Sequence, residues 1–442
     1  MLAPLDTWDI RAEKEHCMPS PNQKSDIYDV IVVGASFAGL SFASVAAALG
    51  LRVLVVERDA EVGGVVRTTG VLFNDALDFV DVPARYLMNA IRRIQLQSPD
   101  HPPIEISARA YRFYMVDVPG MLRWMTAQAE ERGAIVRCGA MFLDVTRQED
   151  GVMRVTLGGP AKSREGDTVY TRFLIGADGT HSKVAQCLGL DRNTHFLAGA
   201  EWLVEGVPVD RETFYLVMSH QLAPGYCIWL APHAGIAALG VAGHPHAFHP
   251  TASLRAAQAL FTDVADLSQM RVVERKAGII PTGGRLQRVY RNDNRGWGLL
   301  LGDAAGLCAA ATGGGIYPAL LSGRLAAHAV ASEVLNGERG AIKAYLRNLS
   351  HAGRLGDYLR IEDWLRWALD SMKSDEDVGM LYGLFGSPAG RQLLQRTLLE
   401  TPIIGMDSNF FALLRSLLGQ HPRLYGSAVQ AVWQRITARS RS

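Results

Sequence analysis

Six residues, Gly34-Ala35-Ser36-Phe37-Ala38-Gly39, constrain the fold of this chain more than any others. An apolar run from Tyr28 to Val33 precedes them and has the continuous hydrophobicity of a buried strand. An alanine-rich stretch to about Leu49 follows and reads as a helix. A second apolar run, Arg52 to Val56, ends on Glu57. Strand, glycine turn, helix, strand and acid form the opening β-α-β unit of a dinucleotide fold. Ser36 stands where the pattern has its second glycine, and it is small enough for a phosphate to approach. Ala38 and Gly39 lead into the helix, whose first backbone N–H groups hold a pyrophosphate. Glu57 is placed to bind both ribose hydroxyls and to repel a 2′-phosphate. That suits the ADP half of FAD or NAD rather than NADP.

Two later glycine corners extend this pattern. Trp297 to Leu301 reads as a buried strand, followed by Gly302-Asp303-Ala304-Ala305-Gly306, then Thr312-Gly313-Gly314-Gly315-Ile316-Tyr317, then a long helical pattern to about Leu335. Asp303 can accept hydrogen bonds from sugar-like hydroxyls, and bare glycines let backbone N–H groups come close to a ligand. Tyr170 to Ile175 reads as a strand leading into Gly176-Ala177-Asp178-Gly179-Thr180-His181-Ser182-Lys183-Val184.

Composition narrows the class. With 442 residues, 48% hydrophobic and 20% charged, the chain has core enough for two or three domains of a globular enzyme. A net charge of +1 argues against general nucleic-acid binding. Cysteines at 17, 138, 187, 227 and 308 show no CxxC spacing. With Asp6, Asp9 and Glu13 ahead of any apolar run, they predict a cytoplasmic protein with reduced thiols. Val30–Leu51 and Ala304–Gly323 are long enough for membrane spans, but glycine and serine punctuate both, and each reads better as strand, turn and helix. His244, His246 and His249 lie among prolines without a nearby acid, so no metal site is expected.

The elements group into four parts. Residues 1–27 are a polar arm. Residues 28–190 with 285–345 make a discontinuous nucleotide domain. Residues 191–284, with about 72–117, make a substrate domain, and 346–442 a helical C-terminal region. Within them the pattern predicts a helix from Val80 to about Arg93, strands at Ile94–Gln97 and Ile104–Ile106, and a helix from Met121 to about Arg132. Strands follow at Ile135–Arg137 and Met153–Leu157, then a surface turn from Gly158 to Asp167. Phe196–Val207, Thr213–Met218, Cys227–Leu230 and Gly235–Val241 predict an antiparallel sheet with one helix, Ala252–Phe261, inside it. Helical spacing returns around Trp364–Ala368 and Phe410–Leu418. The fold class is therefore a Rossmann-like α/β domain with an inserted antiparallel sheet and a helical C-terminus.

With Gly34–Gly39, Glu57, Asp178 and Gly302–Asp303 in this order, the chain from about Tyr28 onward resembles the flavoproteins that include aromatic-ring hydroxylases and geranylgeranyl reductases. Its details are most similar to the geranylgeranyl reductases. Gly306 stands where many hydroxylases have histidine. The Thr312–Tyr317 run, the strand Ala200-Glu201-Trp202 and the Ile94–Asp100 segment are similar to theirs. The resemblance implies FAD, with Gly34, Ser36, Ala38, Gly39, Glu57, Arg58, Arg67, Gly70, Asp178, Gly302, Asp303, Gly313, Gly314, Gly315 and Ile316 around it. Asp303 would bind the ribityl chain, and Gly313 to Ile316 would lie against the pyrimidine side. It implies hydride transfer from reduced flavin N5 to a C=C bond of an isoprenoid or other apolar substrate, near Cys227, Trp229 and Tyr317. NAD(P)H or a reduced carrier would recharge the flavin, and a lipid substrate would bring peripheral membrane contact.

Some positions depart from that family. Ala310 replaces a common proline. Cys227-Ile228-Trp229-Leu230-Ala231-Pro232 retains only the tryptophan and proline of an aromatic-x-Trp-x-Phe-Pro motif. Arg67-Thr68-Thr69-Gly70 lacks the cysteine many members place after an arginine. A flavin monooxygenase or oxidase acting on an aromatic or polyketide-like metabolite therefore stays open. An electron-transfer or non-catalytic flavoprotein is the third reading. A halogenase is disfavoured because Arg58 to Ala161 contains no lysine. Cys308 reads as a small buried residue rather than a reactive one.

Overall fold

The computed structural model describes residues 27–107, 112–159, 167–352 and 355–398. The valine- and isoleucine-rich runs form the centre of an eight-stranded sheet. Its main path runs Tyr290–Asp293, Gly296–Leu300, Asp167–Gly176, Ile27–Val33, Val53–Val56 and Ile135–Arg137. From Gly296–Leu300 onward these strands are parallel. Val30, Ile31, Val32, Leu54 and Val55 are fully buried, as strands covered on both faces must be. Met141–Arg147 and Met153–Gly158 add an antiparallel extension to Asp167–Gly176.

The register of this sheet sets the geometry of everything above it. Val56, Val33, Gly176 and Leu300 lie on one rung across four strands. Each is followed within two residues by one of the corners: Glu57, Gly34, Asp178 and Gly302–Asp303. The helix Phe37–Ala48 leaves the first corner and packs against Ile316–Asn336, which leaves the last. The Ser41 hydroxyl ties them by donating to the Leu320 carbonyl at 2.8 Å.

A seven-stranded sheet stands over this edge. Its order is Arg271–Pro281, Phe196–Glu205, Ile236–Gly243, Ile228–His233, Thr213–Val217, Arg93–Ser98 and His101–Ser107. The period-2 alternation divides its faces. Trp202, Val204, Val217, Leu230 and Val241 pack on one side with Leu254 and Phe261. Glu201, Trp229, Leu216 and Leu96 point the other way, into a cavity. The sheet is mostly antiparallel, as its sequence predicts, but Thr213–Val217 pairs in parallel with Arg93–Ser98. The expected helix Ala252–Phe261 is an α-helix over Pro250–Ala257 continued by a 3₁₀ turn to Phe261.

One expected element is different. Val80 to Arg93 is not a helix. A short 3₁₀ turn, Ala84–Tyr86, leads into the strand Leu87–Ile91, which pairs with Phe113–Val116 in a three-stranded sheet with Val71–Phe73. Pro83 cannot sit inside a helix, and pairing with a partner more than twenty residues away overrides local propensity. The expected turn Gly158–Asp167 lies mostly outside the described residues, as do the N-terminal arm up to residue 26 and Phe410–Leu418.

Helices Ala341–Asn348, Leu355–Ser371, Asp375–Gly386 and Pro388–Leu398 close the open side. The Tyr382 hydroxyl meets the Leu96 and Pro102 carbonyls at 2.7 and 2.8 Å and pins them to the sheet edge. Glu362, buried on the second of these helices, accepts the backbone N–H groups of Ala311 and Thr312 at 3.0 and 2.8 Å. That bond fixes the turn before Gly313 to the C-terminal helices. Glu362→Ala strips two buried amides of their acceptor and is expected to lower stability by about 1–3 kcal/mol. Glu362→Gln, which keeps one acceptor oxygen, should lose less; thermal and urea melts of both variants measure this.

Candidate functional site

The corners and the inward face of the second sheet enclose one continuous cavity of about 1450 Å³. Gly34, Ser36, Ala38, Glu57, Arg58, Arg67, Asp178, Asp303, Gly313, Gly314, Gly315 and Ile316 are on its wall, with Cys227 and Trp229. Four expected residues are not. Gly39, Gly70 and Gly302 sit just behind the wall and shape it. Gly302 packs under Ala38 and Ala319, and its N–H reaches the Ser322 hydroxyl at 3.3 Å. Tyr317, expected at the substrate, is buried against Phe79 and Tyr358 instead. Successive helix residues turn by about 100°, so Ile316 faces the cavity and Tyr317 does not.

The first corner is built for close approach. Gly34 turns with φ +103°, and a Cβ there would stand 2.4 Å from the Ala177 carbonyl oxygen. The following helix has no acidic residue in its first turn, leaving its positive end open to the cavity. Glu57 spans the corner. One carboxylate oxygen accepts the Ala35 N–H at 2.8 Å, the other the Asp59 N–H at 2.9 Å. Arg67 pairs with Asp59 at 3.0 Å.

Burial raises three carboxyl groups, two along the sheet edge and Glu362 on the C-terminal helix behind the Thr312 turn. Asp178 accepts the Ser182 hydroxyl at 2.6 Å and the Lys183 and Val184 N–H groups at 2.7 and 3.1 Å. Desolvation still holds it above the usual range. Burial also pushes Asp303 up to about 6, and no side-chain hydrogen bond offsets this among the described residues. Glu362 is pushed up to about 7 despite its two backbone donors. A buried acceptor without a donor is a place for ligand hydroxyls. An open helix start, a strand-end acid and an unpartnered Asp303 on one cavity together meet the demands of a phosphate, a ribose and a polyol chain.

The family model described as an FAD binding domain matches residues 27–345. The chain belongs to the FAD binding domain family. This flavoprotein is an FAD-dependent oxidoreductase, and its curated relatives include digeranylgeranylglycerophospholipid reductases. It is 29% identical over 324 residues to digeranylgeranylglycerophospholipid reductase 1 of Methanococcoides burtonii, covering 70% of this chain and 76% of that one. It is 29% identical over 332 residues to the digeranylgeranylglycerophospholipid reductase of Methanosarcina mazei, covering 72% and 78%. In fold it is similar to a geranylgeranyl bacteriochlorophyll reductase-like protein of Thermoplasma acidophilum. There the TM-score is 0.75 at 20% identity, over 92% of this chain and 99% of that one.

The wall beyond the corners is apolar, with Phe113, Phe214, Leu216, Trp229, Leu365 and Phe385 among its residues. Burial pushes the Cys227 thiol up to about 12 and the Cys308 thiol well above its ordinary value, so both stay protonated and serve as small wall residues. Among the described residues no group of three or more His, Cys, Asp or Glu is placed to hold a metal; His244 instead faces Asp370 at 3.2 Å. Among them, too, no helix is long and apolar enough to cross a membrane.

Sequence reasoning missed Glu362, Tyr226, and the pair Glu201 and Lys276. Tyr226 donates from its hydroxyl to the Thr312 carbonyl at 2.5 Å. Glu201 shares the inward phase of its strand with Leu197, Gly199 and Leu203, whereas Lys276 stands on an edge strand with the charged Glu274 on the same phase. For Glu201, a charge on that phase was the available signal.

Asp303 has a folded-state pKa above its ordinary 3.8, so the folded state binds the proton more tightly than the unfolded chain. In flavin-free protein, stability from this group is present below pH 3.8 and is lost as pH rises toward about 6. Asp303→Asn is therefore expected to gain melting temperature relative to wild type over that interval and to hold the gain above it. A difference that stays flat across the interval would contradict the assignment.

Proposed function

We propose that this flavoprotein reduces carbon–carbon double bonds of an isoprenoid or similarly apolar substrate. The observation that carries the reading is the continuity of the cavity. It passes without a wall from the Asp303–Ile316 corner into the apolar chamber beneath Trp229 and Leu216. The names of the curated relatives support the same substrate class.

In this reading Glu57 holds the adenosine ribose, and the helix start at Ser36–Ala38 holds the pyrophosphate. Asp303 would accept hydrogen bonds from the ribityl hydroxyls, and Gly313 to Ile316 would hold the flavin ring. Bound FAD supplies the pair of electrons for the reduction, and NAD(P)H or a reduced carrier restores them. The chain supplies position and dryness. The Asp178 loop is locked by three hydrogen bonds, Glu362 and Tyr226 hold both sides of the Thr312 peptide, and the C-terminal helices exclude water from the chamber. A lipid substrate would bring the protein to a membrane surface.

Two experiments bear on this. Glu57→Ala removes the charged acceptor of the ribose and is expected to weaken FAD binding at least tenfold, roughly the effect of one charge-assisted hydrogen bond, measured by fluorescence titration of FAD. Chemically reduced holoenzyme, incubated without oxygen with prenyl substrates, is expected to give saturated products by mass spectrometry. No saturated product, together with substrate-dependent oxygen consumption on an aromatic panel, would replace the reductase reading with a monooxygenase.

A further inference from the structure

One rung of the seven-stranded sheet carries an ion pair inside the apolar chamber. Lys276, Glu201, Gly240, Trp229, Leu216 and Leu96 stand side by side on six neighbouring strands. The Lys276 ammonium lies 3.4 Å from Glu201 Oε1, and the two side chains are only 8% and 5% exposed. Trp229 reaches across to donate its indole N–H to Glu201 Oε2 at 3.0 Å. It can do so only because position 240 is glycine. A Cβ there would stand 2.0 Å from the indole ring.

The pair is incompletely satisfied. Among the described residues, Glu201 is the only partner of the Lys276 ammonium, which has three protons to donate. Glu201 Oε1 is buried and makes no hydrogen bond among the described residues. Both residues line the cavity. A spare donor and a spare acceptor therefore stand next to each other beside the apolar Trp229, Leu216 and Leu96, two residues along the strand from Gly278, where the Arg67 backbone comes close. Lys276 shares a face with Ile280, which packs beside Gly313, and four residues of strand separate them by roughly 13 Å. The pair is thus set back from the Gly313 turn, where it can hold a substrate's polar end while the rest of the molecule lies toward that turn.

We infer that the Lys276–Glu201 pair receives an uncharged hydroxyl of the substrate, which accepts from the ammonium and donates to Glu201 Oε1. The inference rests on the reading of this chamber as a substrate site. Charge balance selects the hydroxyl. Lysine and glutamate already neutralise each other, so a phosphate carrying about −1.5 to −2 would place unbalanced negative charge beside a buried carboxylate. An alcohol or phenol uses both spare groups and adds no charge. The substrate is then an apolar molecule ending in a free hydroxyl, and a phosphorylated one is disfavoured.

The test compares ligands in the oxidised holoenzyme through the shift they cause in bound-flavin absorbance. One series is geranylgeraniol, its methyl ether and geranylgeranyl monophosphate; the other is a long-chain alkylphenol and its methyl ether. In at least one series the free hydroxyl is expected to bind at least roughly tenfold more tightly than its ether, and geranylgeraniol more tightly than the phosphate. The series showing the preference identifies the source of the hydroxyl. The double variant Lys276→Met with Glu201→Leu leaves no lone buried charge and should erase the preference while retaining flavin. If it does not fold, Lys276→Met with Glu201→Gln, which keeps an acceptor for Trp229, takes its place with the same expected loss. Tighter binding of the phosphate, equal binding of hydroxyl and ether, no binding of either hydroxyl, or a preference that survives in the variant would each overturn the inference. Alkene reduction that proceeds regardless of the end group would overturn it and leave the reductase reading intact. A hydroxyl preference without any reduction would do the reverse.

Discussion

Everything at the site depends on the register of the parallel strands. Val56, Val33, Gly176 and Leu300 end on one rung, so three glycine-rich corners and one acid, separated by up to 270 residues, emerge along a single sheet edge. A slip of one residue in any strand would turn its side chains to the opposite face and carry its corner out of line. The buried valines and isoleucines that fix this register are not themselves functional. They are the reason that Glu57, Asp178 and Asp303 share a cavity.

The second sheet solves a different problem. It roofs the edge with an apolar face and places a compensated ion pair within it. Burying either charge alone would be costly, and each offsets the other while leaving hydrogen-bonding capacity to spare. Trp229 donates to Glu201 by lying across Gly240. The C-terminal helices complete the enclosure, and Glu362 couples them to the turn that precedes Gly313. Asp178 and Asp303 on the sheet edge, and Glu362 on the helix behind it, are raised because the chain has withdrawn these carboxyl groups from water.

The nucleotide half of this arrangement was legible in the sequence because its determinants are local. A strand, a turn with Gly34 and a strand-end Glu57 lie within thirty residues, and each type is dictated by the backbone or charge it must meet. The chamber was less legible. Glu362 acts on residues fifty positions away, and Lys276 meets Glu201 only through strand pairing. Nothing near either residue in the chain announces its partner. Leu87–Ile91 was misread as helix for the same reason, since its partner strand starts more than twenty residues on. The resemblance puts Tyr317 at the substrate, but one helical step past Ile316 separates wall from core.

The most direct measurement is a single turnover of the reduced holoenzyme under argon, followed by flavin absorbance. Adding an isoprenoid alkene should restore the oxidised flavin spectrum and yield about one saturated bond per flavin, the two-electron stoichiometry of such a cofactor. Recovery of the oxidised spectrum only when air is admitted, with the alkene unchanged, would contradict the reductase assignment.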